Sequence, residues 1–121
     1  MKFSFSTLFV KDIEESVQFY QEIVGIPIKS RLSPAPNLNI VFMGDDEAQI
    51  ELIQDSNKKI INIGSDISWG FTVNSVEEVY EFVKKQNVTI LSDIIQPKPS
   101  VKYFFIEDPN GMKIQFVETN T

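Results

Sequence analysis

VKDIEESVQFY, residues 10–20, returns as VNSVEEVYEFV, residues 73–83. Val10, Ile13, Glu14, Glu15 and Phe19 recur as Val73, Val76, Glu77, Glu78 and Phe82, an offset of 63. Further along, QIELIQ at 49–54 is matched by KIQFVE at 113–118, an offset of 64. The chain therefore reads as two copies of one unit. A duplicated chain tends to form its cavity where the copies meet, with equivalent positions facing one another there. The offsets make Phe5 the counterpart of Ser68, and Glu51 the counterpart of Gln115.

Each copy has the same order of elements. Residues 3–10 are apolar and β-prone, which predicts a strand. Ile13, Val17, Tyr20 and Val24 recur at helical spacing, widened by Phe19 and Ile23, and Gly25 is placed to end that helix as a C-cap. A short strand follows at 26–32, then a loop at Ser33-Pro34-Ala35-Pro36, a strand at 37–43, a turn at Gly44-Asp45-Asp46 and a strand at 47–54. Residues 55–65 read as a linker, with Ile60, Ile61 and Ile63 covering part of the core. The order then repeats: strand 66–73, helix 76–86, strand 88–94, a loop holding Pro97 and Pro99, strand 101–107 and strand 111–118. Asp108-Pro109-Asn110-Gly111 is a hairpin turn, with proline presetting φ and glycine accepting a positive φ. The expected class is α+β: two βαβββ modules forming a curved, mostly antiparallel sheet with the helices on its outer face. At 121 residues this is a single domain, 1–121, made of repeats at about 1–54 and 66–121.

Composition narrows the chemistry. There is no cysteine and no histidine. Disulfides, thiol nucleophiles, thiolate metal sites and histidine-based catalysis are all excluded. Any metal would have oxygen ligands only. A net charge of −6 argues against a nucleic-acid partner and is compatible with a cationic ligand. No apolar run approaches the roughly 20 residues that span a bilayer, so no membrane partner is expected. The first residues lack the features of a signal peptide, which favours the cytoplasm. Several carboxylates have structural roles: Asp12 and Ser75 read as helix N-caps, Glu15 and Glu78 close capping boxes, and Glu14 and Glu77 sit where the helix dipole favours them.

Strand alternation assigns the remaining polar residues to faces. Ile50 and Leu52 oppose Gln49, Glu51 and Ile53; Met112, Ile114 and Phe116 oppose Lys113, Gln115 and Val117; Trp69 and Phe71 oppose Ser68, Gly70 and Thr72. The strongly apolar faces should pack on the helices. The mixed faces, with Phe5, Thr7, Phe9, Glu51, Ser68, Thr72 and Gln115, should line the cavity. Tyr103, Phe104 and Phe105 alternate, and their parity stays open. Glu51 has three readings: a surface carboxylate paired with a lysine such as Lys113, an acceptor for a ligand, or an acid–base group. Phe5 and Phe9 serve equally as pocket walls or packing. Arg31 and Lys113 read first as solvated surface charges, and otherwise as the candidate anchors for an anionic ligand.

Val10-Lys11-Asp12 with Ser16 and Phe19-Tyr20 ahead of Gly25, then Ile50-Glu51-Leu52, then the ending Phe104 to Gln115 resemble the vicinal oxygen chelate superfamily. That group holds glyoxalase I, extradiol dioxygenases, fosfomycin-resistance enzymes and bleomycin-resistance proteins. In its metal-dependent members one ligand comes from the first strand of each copy and one from the last. The resemblance puts these positions at Phe5, Glu51, Ser68 and Gln115. Only Glu51 is a typical ligand, so the resemblance implies the fold without the metal chemistry: no metal and no cofactor are expected. It also implies a homodimer.

Two functions follow as expectations. The first is a metal-independent binding protein resembling the bleomycin-resistance branch, taking an aromatic or cationic small molecule in the cavity between modules through Phe5, Thr7, Phe9, Glu51, Ser68, Tyr103 and Gln115. The second is a glyoxalase-type lyase or isomerase with Glu51 as its catalytic general base and a weak or absent metal.

Overall fold

The computed structural model describes residues 1–45 and 48–120. The last residue of the expected turn, Asp46, and the first of the following strand, Glu47, lie outside the described residues. The chain divides into two compact units, Met1–Ile63 and Gly64–Thr121.

The N-terminal unit contains β1 (Phe5–Phe9), α1 (Ile13–Phe19), a π-helical turn (Tyr20–Val24), β2 (Ile28–Ala35), β3 (Leu38–Met43) and β4 (Gln49–Asp55). Its sheet has the order β1-β4-β3-β2. β1 and β4 run parallel, and the other neighbours are antiparallel. Side chains alternate along each strand. Leu8, Val41, Met43, Ile50 and Leu52 are buried on the face that α1 covers with Ile13, Val17 and Phe19. Phe5, Thr7, Phe9 and Glu51 point the other way and stay at least partly exposed.

The C-terminal unit contains β5 (Ser68–Thr72), α2 (Val76–Lys84), β6 (Thr89–Ile90), β7 (Ile95–Lys98), β8 (Val101–Glu107) and β9 (Lys113–Thr119). The order is β5-β9-β8-β6, with β7 also pairing β8. β5 and β9 run parallel, and the remaining pairs are antiparallel. Phe104, Ile106, Ile114 and Phe116 are buried under α2, which contributes Val76 and Val83. The described elements are α+β, with the mostly antiparallel strands and one helix per unit that the repeat implies.

The duplication extends to backbone register. Phe5 partners Gln49 and Ser68 partners Lys113, positions related by the two offsets. It also extends to the helix starts. Asp12 Oδ1 accepts from the Glu14 and Glu15 N–H groups, and Ser75 Oγ accepts from the Glu78 N–H. In both units a side chain from the end of the last strand completes the cap. Ile13 N–H donates to Gln54 Oε1 and Val76 N–H donates to Glu118 Oε1, both at 2.9 Å. Each contact satisfies an amide that has no partner inside its helix.

Some boundaries differ from expectation. The helix expected over 13–24 is α-helical only to Phe19, then widens into the π turn. Gly25 ends it at φ 88°, donating its N–H to Tyr20 O at 2.9 Å. Pro34, expected in a loop, lies within β2, and Pro97 lies within β7. Both strands pair on one side only, where a missing N–H breaks no ladder, and their registers shift nearby. The strand expected over 88–94 pairs only at Thr89 and Ile90. Beyond it Ser92 leaves the ladder, and its hydroxyl accepts the Phe105 N–H at 3.1 Å. Of the linker isoleucines Ile60 is exposed, and Ile61 and Ile63 are half-buried.

Removing either strand-end acceptor, by Gln54→Ala or Glu118→Ala, is expected to destabilise the protein by about 1 kcal/mol, the usual worth of a helix cap. Leu52→Ala, which empties a site with no exposed surface, should cost about 2–5 kcal/mol. Urea unfolding of the three variants against the parent checks both the size and the order.

Candidate functional site

The register defines one rung of three residues across the open face of each sheet. In the N-terminal sheet Glu51 on β4 has Thr7 on β1 at one side and Phe42 on β3 at the other. Thr7 Oγ1 donates to Glu51 Oε1 at 2.6 Å. Glu51 Oε2 has no hydrogen-bond partner among the described residues. Phe42 meets Phe5 edge to face, with ring centroids 5.4 Å apart. One rung further along, Phe9 carries the Lys58 ammonium 5.3 Å from its ring centre. This face combines exposed aromatic rings with one oriented carboxylate.

In the C-terminal sheet the equivalent rung is Gly70 on β5, Gln115 on β9 and Phe105 on β8. Tyr103 shares this face, its ring edge-on to Phe105 at 5.8 Å. The parity that sequence left open is thereby settled, with Phe104 on the buried side. Lys113 lies 5.9 Å from the Phe105 ring centre and donates to Ser65 O at 3.2 Å. Ser68 and Thr72 are exposed on β5.

Thus Phe5, Thr7, Phe9 and Glu51 share the open face of one sheet, and Ser68, Tyr103 and Gln115 share that of the other. The hydroxyl partner of Glu51 was missed. Its signal is the parallel pairing of β1 and β4, which period-two patterning alone does not give.

Arg31 is largely exposed, as the solvated reading expects, but it is not free to anchor an anion. It pairs in register with Val41, on the helix-covered side, and makes two bonds to Glu14 at 2.8 and 3.1 Å. The pair borders a shallow depression of about 240 Å³. Arg31 is therefore committed to α1 and is no anchor on the open face. A one-residue change of strand parity separates the two outcomes.

The side chains at the family's ligand positions do not fit a divalent cation. Phe5 has no donor, Ser68 offers a neutral hydroxyl, Gln115 offers a neutral amide, and one Glu51 oxygen already accepts from Thr7. Only one of the four carries a charge, and a single carboxylate competes poorly with water for a hard ion. Among the described residues no three His, Cys, Asp or Glu side chains are grouped as ligands. Among them, too, no helix is long and apolar enough to cross a membrane.

The chain belongs to the Glyoxalase/Bleomycin resistance protein/Dioxygenase superfamily, whose family model matches residues 2–116. It is 28% identical to the uncharacterized protein YwbC of Bacillus subtilis, over 92% of each chain. It is 26% identical to the lactoylglutathione lyase of Neisseria meningitidis serogroup A, over 98% of this chain and 91% of that one. Among solved structures it resembles TnmS3, an antibiotic-binding protein from Streptomyces sp. CB03234. The TM-score is 0.77 at 16% identity, covering 99% of this chain and 97% of that one. At that identity the likeness is one of fold.

The Arg31 hydrogen bonds hold the Glu14 carboxyl below its ordinary value, against an opposing effect of desolvation. A carboxyl lowered on folding adds stability above its unfolded value and loses it as pH falls through the folded one. Because the pair is largely exposed, the contribution is small. Arg31→Met should lower the urea midpoint slightly at neutral pH, and the gap to the parent should close on acidification through the lowered Glu14 range. Paired unfolding series from neutral pH down to about pH 3 check this.

Proposed function

We propose that this protein is a metal-independent small-molecule binder that takes an aromatic cation on the open face of its N-terminal sheet. The observation that carries this reading is the Thr7–Glu51 hydrogen bond at 2.6 Å beside Phe42 and Phe5. Thr7 orients the carboxylate and leaves Oε2 to a ligand. Phe5 offers exposed ring surface on which a planar group stacks, and a cationic centre gains from both the ring face and the carboxylate. Aromatic walls around a few placed polar groups are the usual composition of a small-molecule site. The likeness in fold to an antibiotic-binding protein supports a binding role.

A second reading has its own support in the lactoylglutathione lyase relative. In it Glu51 acts as general base in a lyase or isomerase reaction. Glu51 would take a substrate proton on Oε2, with Thr7 holding the other oxygen in place.

Calorimetric titration separates the two. Benzyltrimethylammonium is expected to bind the parent, and Glu51→Gln to weaken it about tenfold through loss of the ionic contact with its donor-free cation. Thr7→Val should weaken it less. Melting temperature followed in the presence of manganese, nickel, zinc and magnesium should show no Glu51-dependent rise at micromolar metal. Such a rise, with no binding of the organic cation, would replace the binder with the enzyme.

A further inference from the structure

The two rungs are the same scaffold with different chemistry. The aromatic residue is kept, as Phe42 and Phe105. The acid Glu51 becomes its neutral isostere Gln115, and the hydroxyl residue Thr7 becomes Gly70. The last change has a direct effect on hydrogen bonding. Thr7 occupies one oxygen of Glu51, whereas Gly70 has no side chain to offer Gln115. A Cβ built at Gly70 would stand 3.5 Å from Gln115 Oε1, so the carboxamide lies beside the notch that glycine leaves. Gln115 makes no side-chain hydrogen bond among the described residues. None of its polar atoms is buried without a partner, so the amide meets solvent. It therefore presents an acceptor, Oε1, and the Nε2 donors together. The three side chains of this rung are themselves neutral; Lys113 and Glu107 form the neighbouring rung, and the Lys113 ammonium, 5.9 Å from the Phe105 ring centre, donates to Ser65 O.

We propose that the Gly70–Gln115–Phe105 rung binds a flat, neutral group bearing an amide, such as a carboxamide or lactam. Its N–H donates to Gln115 Oε1 and its C=O accepts from Nε2, with its plane over the bare backbone at Gly70 and against Phe105. Amide and amide are self-complementary in this pairing. A carboxylate would face the Oε1 lone pairs with no proton to give, and an ammonium would leave the Nε2 donor unmatched. This inference deepens the binder reading and rests on it, but concerns the other sheet and a different chemical class.

Benzamide is the probe, with benzoate and benzylamine as controls. Amide NMR of the ¹⁵N-labelled protein reads it out through the Gln115 side-chain NH₂ signals, assigned by their loss in Gln115→Leu. Benzamide is expected to move those signals and the Gly70 backbone amide, and the controls to leave them in place. Gly70→Thr restores a hydroxyl beside Oε1 and should weaken benzamide about tenfold, as for one hydrogen bond. Should that variant fail to fold, Gln115→Leu titrated through the Gly70 amide carries the same comparison. No movement at saturating benzamide, or an equal response to benzoate, overturns the proposal. If benzyltrimethylammonium still binds through Glu51 in that case, only this inference falls. If neither probe binds, the binder reading falls with it.

Discussion

The first amide of each helix is satisfied from the strand that carries the central residue of the open face. Gln54 accepts from Ile13 N–H and Glu118 accepts from Val76 N–H. Gln54 lies three residues beyond Glu51, and Glu118 three beyond Gln115. An odd spacing on a period-two strand sends the two side chains to opposite faces. One strand thus ties down the helix on one side and presents a polar group on the other. With the helix anchored there, Leu52 and Ile114 lose all contact with water, and the opposite face is left for other chemistry. The backbone continues the pattern, since Val10 N–H and Val73 N–H donate to Ile53 O and Val117 O at 2.8 and 2.9 Å.

Much of this was readable before any coordinates. The two offsets, 63 and 64, carry the register as well as the order of elements, because the extra residue falls between β8 and β9. Alternation placed Phe5, Thr7, Phe9 and Glu51 together correctly, and Ser68 with Gln115. What escaped the sequence was mostly a matter of pairing partners. Thr7 and Glu51 meet because β1 and β4 are parallel neighbours, 44 positions apart along the chain. The face of Arg31 was not assigned from alternation, because one residue of parity decides it and β2 carries register shifts on both sides of it. The prolines misled for a related reason: Pro34 and Pro97 forbid a ladder bond only where a second neighbour exists. The π turn at Tyr20–Val24 leaves no mark in hydrophobic spacing that an α-helix would not also leave.

The electrostatic contrast between the units is sharper than the shared scaffold suggests. Both helices hold an acid of their first turn against a strand cation, Glu14 with Arg31 and Glu77 with Lys102. Lys102 lowers the Glu77 carboxyl as Arg31 lowers Glu14, through its hydrogen bond first. On the covered side the copies thus make similar ion pairs from strands that do not correspond. On the open side they have diverged, to an acid steadied by a hydroxyl in one and an amide beside a gap in the other.

The prolines of β2 and β7 have a consequence for behaviour at high concentration. Strands with one free edge are templates for indefinite stacking of identical chains. Each of these two lacks an amide hydrogen partway along and is kinked by a register shift. An incoming strand finds the row of donors interrupted, so these two edges are poor templates for fibril growth.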